Sequence, residues 1–241
     1  MDNLRLQFIE FALSANALAF GEFTTKAGRH SPYFFNAGRF DSGARLAALG
    51  RFYAKTLAAA ERDRGIAFDM LFGPAYKGIT LAAATAMGLA ELDPAEGRRD
   101  VGFAYNRKEA KAHGEGGVIV GAALSGRVVI VDDVLTDGAS KRESVEMIRA
   151  AGAVPVAVVI ALDRMERKNG EDGLSSASAV EAFEAEYGIP VLSIANLDDI
   201  MNWLKNEMKN ETAGAFAHHA GAVAAYRRRY GASHVATGID A

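Results

Sequence analysis

The 241-residue sequence contains no cysteine. Disulfides, thiolate metal sites and thiol nucleophiles are therefore excluded, and a reducing compartment is the natural setting. It also lacks a dominant charge: 27 Lys and Arg stand against 30 Asp and Glu, a formal net charge of −3. No overall field draws nucleic acid or an anionic membrane, so an anionic ligand must be met by local clusters of Lys and Arg. There is no apolar run long enough to span a bilayer, because the alanine-rich stretches are broken by Arg, Asp, Lys or Gly. The N-terminus lacks the basic-then-apolar layout of a signal peptide, since Asp2, Arg5 and Glu10 punctuate it. Internal repeats and low-complexity linkers are also missing. The expectation is a soluble cytoplasmic protein with neither nucleic acid nor membrane as partner.

What remains is ordinary globular composition, 50% apolar and 24% charged. The length suits one large domain. Residues 4–19 read as an amphipathic helix, with Leu4, Phe8, Phe11, Ala15 and Leu18 on one stripe. Residues 20–40 alternate aromatics with Gly and Pro, the pattern of short strands and tight turns. A second helix is expected over about 42–60. From residue 66 the rhythm becomes strand, loop, helix: strands at 67–72, 101–105, 118–122, 127–132 and 156–161, helices near 78–88 and 141–151. Helices follow at about 177–187, 198–209 and 213–230, with a short strand near 190–194. This alternation predicts an α/β fold with a mainly parallel central sheet flanked by helices. One domain is expected over 1–231, with a small N-terminal hood from 1–40, a core over 66–165, C-terminal helices over 177–230 and a tail at 232–241.

The strongest local signal is Val128-Val129-Ile130-Val131-Asp132-Asp133-Val134-Leu135-Thr136-Asp137-Gly138-Ala139-Ser140. Four apolar residues make a buried strand, and two carboxylates sit at its carboxyl end, where open α/β sheets bind ligands. A small-residue turn then feeds a helix N-terminus, whose N–H groups and dipole favour an anion. Acids and a phosphate cradle fit one ligand that carries both hydroxyls and a phosphate. The Gly-Lys-Ser/Thr ending of a Walker loop and the three spaced glycines of a dinucleotide fingerprint are both missing. Taken alone, Ser140-x-x-Glu143 also fits a capping box with ordinary strand-end acids before it.

Two further segments carry anion-binding chemistry. Phe72-Gly73-Pro74-Ala75-Tyr76-Lys77-Gly78-Ile79 lies between a strand and a helix and joins main-chain N–H groups to one cation. The segment from Tyr105 to Gly117 concentrates Arg107, Lys108, Lys111 and His113 between two strands and ends in glycines. A solvated surface loop and a lid that excludes water both fit that composition.

The stretch 128–140 resembles the binding motif for 5-phosphoribosyl 1-pyrophosphate (PRPP) in type I phosphoribosyltransferases. The resemblance implies that fold. It also implies that Asp132 and Asp133 contact the ribose hydroxyls, while Val134, Leu135, Thr136, Asp137, Gly138, Ala139 and Ser140 form the loop around the 5-phosphate. Asp137 stands where the family commonly has alanine, and Ala139 lacks the expected hydroxyl. Residues 72–79 resemble the pyrophosphate loop, with Tyr76 and Lys77 on PRPP. Residues 105–117 resemble the catalytic flap, whose Arg107, Lys108, Lys111 and His113 act at the site, some across a homodimer interface. Thr25–Asn36 looks like the N-terminal segment of members that use orotate; it implies Lys26 at both substrates and Phe34 and Phe35 at the pyrimidine. Arg164, after the strand 156–161, is similar to the family arginine that meets orotate, and Thr136 is expected beside it. The matches run in order across residues 3–231, ending on a resemblance to the family's C-terminal helix at Ala225–Gly231.

The function so implied is Mg²⁺-dependent transfer of the 5-phosphoribosyl group from PRPP to N1 of orotate, giving orotidine 5'-phosphate and pyrophosphate in pyrimidine biosynthesis. Lys77, Arg107, Lys111 and Asp133 are the expected catalytic residues. The metal is expected to be held mainly by PRPP, with Asp132 or Asp133 reaching it through water. Two rivals share the PRPP site: a transferase for a purine or another base, and a regulator that binds PRPP without turnover. A third is a nucleotide-binding structural subunit.

Overall fold

The structure is a computed structural model that describes residues 3–25, 28–111, 117–136, 138–170, 173–208 and 215–232. The chain opens with α1 (Asn3–Ser14), followed by the antiparallel hairpin β1 (Leu18–Thr24) and β2 (His30–Phe35). The expected helix over 4–19 therefore ends early. Asn16 adopts a left-handed conformation (φ 54°), which turns the chain. The Ala17 N–H then closes back on the Ala12 carbonyl at 2.8 Å. Next comes α2 (Gly43–Arg64), started by the Ser42 hydroxyl, which accepts from the Arg45 N–H.

Then follow β3 (Met70–Gly73), α3 (Lys77–Glu91), β4 (Gly102–Lys111), β5 (Gly117–Gly121), β6 (Arg127–Asp132), α4 (Ala139–Ala150) and β7 (Val154–Asp163). A hairpin of β8 (Arg167–Gly170) and β9 (Gly173–Ser178) leads to α5 (Ala179–Tyr187), β10 (Val191–Asn196), α6 (Leu197–Glu207) and α7 (Ala220–Tyr230). The hairpin was not expected, and the helix foreseen over 213–230 is shorter, beginning at Ala220 after a tight turn at Ala217–His219. The strand expected at 101–105 runs on to Lys111, so the basic segment is partly strand.

The central sheet has the order β10-β7-β6-β3-β4-β5, parallel throughout except for β5. From β3 the chain proceeds outward to β4 and β5; from β6 it proceeds the other way to β7 and β10. The reversal falls between β3 and β6, where the loops after two adjacent strands diverge and open α/β sheets bind ligands.

The continuous apolar strands serve two cores, because successive side chains point to opposite faces. Val129, Val131, Ala157 and Val159 join one cluster with α1, α2, α3 and the hood. Val128, Ile130, Val158 and Ile160 join the other, under α4 and α5. Each such valine or isoleucine side chain contributes roughly 1.5–3 kcal/mol. The hood is fixed by aromatics: Phe11 stacks on Phe40 at 4.9 Å, and Phe20 on Trp203 of α6 at 6.3 Å. Helix α7 docks on β2, with Tyr226 edge-on to Tyr33 at 5.9 Å.

Candidate active site

Asp132 ends β6, Asp133 follows it, and both are buried, at 7% exposure. Each carboxylate caps the turn behind it: Asp132 Oδ1 accepts from the Asp133 N–H at 2.9 Å, and Asp133 Oδ1 from the Val134 N–H at 2.9 Å. The remaining oxygens meet lysines. Asp132 pairs with Lys141, a buried residue of the first turn of α4 whose ammonium also donates to the Val134 carbonyl at 2.7 Å. Asp133 pairs with Lys77 at the start of α3, at 2.5 Å. From behind, the buried Tyr53 hydroxyl of α2 donates to the Asp132 carbonyl at 2.7 Å. Burial pushes the Asp132 carboxyl up, against the downward pull of Lys141.

The loop then enters α4 through Gly138, whose φ of 78° favours glycine and whose place before the helix leaves it without a side-chain cap. Ser140 lies inside the first turn, so the alternative capping box with Glu143 is not formed. Thr136 is exposed and Val134 half-buried, while the Leu135 side chain packs into the second core.

The second loop crosses beside the first. A Cβ on Gly73 would sit 2.0 Å from the Gly78 carbonyl oxygen, and one on Gly78 would sit 2.8 Å from the Val131 carbonyl oxygen. Only glycine lets these main chains approach so closely. The Ala75–Tyr76 peptide bond is cis, and the Ala75 N–H donates to Asn106 Oδ1 of β4 at 2.8 Å. The Tyr76 side chain is 72% exposed. Arg107 and Lys108 continue β4 beyond Asn106, half-buried and exposed respectively. Lys26, His113 and Asp137, together with the Lys111 side chain, lie outside the described residues.

At the end of β7, the Asp133 carbonyl accepts from the Ala161 and Leu162 N–H groups at 2.9 and 3.3 Å, so the segment carrying Arg164 starts beside the acid pair. Arg164 is nearly buried, with a 15% exposed side chain. Its Nε and Nη2 donate to Glu166 Oε1 at 2.9 and 2.6 Å, and its guanidinium lies 5.1 Å from the Tyr33 ring. On β2 the pleat separates the two expected aromatics. The Phe34 ring is 40% exposed and stacks on Phe23 at 5.4 Å. The Phe35 ring turns inward against Phe8 and Phe40 and is 7% exposed. Adjacent strand residues face opposite sides, so of these two rings the Phe34 ring is the exposed one.

The structure thus gathers Asp132, Asp133, Lys77, residues 134–136 and residues 138–140 at one end of the sheet. Sequence reasoning missed Lys141, Asn106 and Glu166. Lys141 reads as a solvated helix lysine; its place in the first turn after an acid-ended strand is the one clue. Asn106 is hidden among stronger charges, and Glu166 stands in an ordinary charged run after β7.

Fold and loops together define a class: an open α/β scaffold whose ligand site lies where β3 and β6 part, among an acid pair and two helix N-termini. A family model described as a phosphoribosyl transferase domain matches residues 45–189. The orotate phosphoribosyltransferase of Herminiimonas arsenicoxydans is 59% identical over 234 residues, covering 96% of this chain and 99% of the relative. That of Bordetella parapertussis is 58% identical over 224 residues, covering 93% and 95%. A crystal structure of orotate phosphoribosyltransferase from Francisella tularensis is 38% identical, with a TM-score of 0.76 over 94% of this chain and 100% of that one. The chain belongs to the phosphoribosyltransferase family, and within it to the orotate phosphoribosyltransferases.

Proposed function

We propose that this chain transfers the 5-phosphoribosyl group of PRPP to N1 of orotate, releasing pyrophosphate and orotidine 5'-phosphate for pyrimidine synthesis. The observation that carries the reading is the joining of the two loops by the Lys77–Asp133 ion pair at 2.5 Å. It sets a ribose-accepting acid beside a cation suited to pyrophosphate.

Asp132 and Asp133 accept from the ribose hydroxyls. The 134–140 loop, at the positive end of α4, holds the 5-phosphate. Breaking the bond from C1 to pyrophosphate builds positive charge on the sugar and negative charge on the leaving group. Lys77, Arg107 and Lys111 neutralise the leaving group, with Lys108 and His113 assisting from the lid and Tyr76 lying along PRPP. No covalent nucleophile is required: orientation and charge carry the rate. Removing one such cation costs on the order of a hundredfold in turnover. Arg164 meets the orotate carboxylate with Thr136, Lys26 and Phe34 around the ring. At Phe35 only the main chain is available to a ligand, since its ring is packed inward.

Two neighbouring carboxylates suit Mg²⁺, an oxygen-preferring ion that takes most of its ligands from phosphates and water. The ion would be held mainly by PRPP, with Asp132 or Asp133 reaching it through water. Bound Mg²⁺ supplies further positive charge to the pyrophosphate oxygens.

Among the described residues no helix is long and apolar enough to cross a membrane. A cytoplasmic place accords with the absence of cysteine. A homodimer sharing its lids accords with the commonness of two-fold pairs among soluble oligomers. Residues 1–231 are read as one domain.

The test offers PRPP and Mg²⁺ with orotate, adenine, hypoxanthine or uracil, following base consumption and pyrophosphate release. Turnover is expected with orotate alone and stops on chelation. Turnover with another base instead overturns the orotate assignment. Silence with every base, while PRPP still raises the melting temperature, favours a binding-only regulator.

A further inference from the structure

Glu166 lies where three parts of the chain meet. Its Oε1 accepts from Arg164 Nε and Nη2 at 2.9 and 2.6 Å, from the Tyr226 hydroxyl of α7 at 2.9 Å and, more distantly, from the Tyr33 hydroxyl of β2 at 3.5 Å. Its Oε2 lies 3.6 Å from Nη1 of Arg29, a buried residue just before β2. One carboxylate thus ties the end of β7 to the hood and to the C-terminal helix.

The geometry has a consequence for Arg164. A guanidinium can offer two donors along its side, through Nε and Nη2, or two at its end, through Nη1 and Nη2. Glu166 occupies the side, and the Tyr33 ring lies against the plane at 5.1 Å. The side chain is thereby fixed along one edge and one face, and its Nη1 end is the edge turned away from Glu166. That end is the one that matches a carboxylate in the two-pronged manner.

We infer that Glu166, steadied by Tyr226, is a positioning residue that presents the end of the Arg164 guanidinium to the carboxylate of the pyrimidine substrate. The inference rests on the assignment of Arg164 to orotate. It extends that assignment by making the C-terminal helix part of substrate selection. Glu166 touches no substrate and acts through the arginine.

Steady-state kinetics on a double-mutant cycle tests it, with KM for orotate and for PRPP measured separately. Glu166→Gln keeps the shape and an acceptor oxygen but removes the charge. It is expected to raise the orotate KM about tenfold, with the PRPP KM within about twofold of the parent. Tyr226→Phe, which deletes a single hydroxyl, is expected to raise the orotate KM about threefold in the same selective way. Glu166→Asp is expected to recover part of what Glu166→Gln loses. In an Arg164→Ala background, Glu166→Gln should add nothing further to the orotate KM. An equal rise in both KM values, or an undiminished effect on top of Arg164→Ala, overturns the positioning role. If Glu166→Gln does not fold, the Tyr226→Phe ratio decides. An unchanged orotate KM in Arg164→Ala itself sinks the parent assignment instead, so the two failures are distinguishable.

Discussion

Among single side chains, Lys141 repays the closest reading. It is buried, yet its ammonium has two acceptors, the Asp132 carboxylate and the Val134 carbonyl. Removing it leaves the Asp132 carboxylate in low dielectric without its partner, which is costlier than never having had the pair. Lys141→Met should therefore lower stability by about 3 kcal/mol, read as a shift of the urea midpoint. A variant as stable as the parent would show that the pair contributes nothing net. The residue also marks a limit of sequence reading. Asp132 and Asp133 were legible because two acids after four apolar residues are unusual, but nothing in Ala139-Ser140-Lys141-Arg142 says which basic residue folds inward. That choice is made by helical phase, which sends position 141 back under the loop it follows. Phe35 shows the reverse limit. An aromatic pair signals a surface or a core equally well, and only the pairing of β2 with β1 assigns one ring to each.

Secondary-structure elements were most legible where period and punctuation agreed. Helix α2 starts at the expected place, on the Ser42 cap, and runs past its expected end at about 60 to Gly65 in the left-handed conformation. β6 was foreseen at its observed bounds, because a buried parallel strand is an unbroken apolar run. The β8–β9 hairpin was missed because Lys168, Asn169, Ser175 and Ser176 carry no strand pattern. β4 outran its expected end because Asn106–Lys111 looks like loop but pairs with β5. Helix α6 invites a test. Asn196 and Asp199 form a reciprocal cap, each side chain accepting from the other residue's N–H at 2.9 Å. The helix carries Trp203 against Phe20 of the hood. Asn196→Ala should cost about 1 kcal/mol, measured by chemical denaturation. A loss below a few tenths would mean that packing alone sets this helix start.

The molecule as a whole is held at its hydroxyls as well as its cores. Tyr33 and Tyr53 are fully buried, and burial raises their phenol pKa values well above the ordinary range. Burial, with Glu166 beside it, pushes Tyr226 up to about 12. For a group whose folded pKa is raised, the stability is fully present below the unfolded pKa and is lost as pH rises through the folded value. The protein should therefore be insensitive to these groups at neutral pH. It should lose stability progressively from about pH 10 upward, as the unfolded chain releases phenol protons that the folded one retains. Thermal melts across alkaline pH check this, and Tyr226→Phe should flatten the slope. A melting temperature that is level to pH 12 contradicts the assignment of Tyr226.

The order of synthesis gives the docking of α7 a temporal meaning. The acid pair, both anion loops and Arg164 all precede residue 165, whereas Tyr226 and the Glu166–Gly231 bridge come close to the end of the chain. A nascent chain emerging N-terminus first can complete its sheet through β10 before these contacts exist. Until α7 arrives, Glu166 has Arg29, Arg164 and Tyr33 but not its strongest hydroxyl donor. The contacts of α7 thus form after the sheet strands have been made, and a chain cut short before α7 would carry Glu166 without its Tyr226 donor.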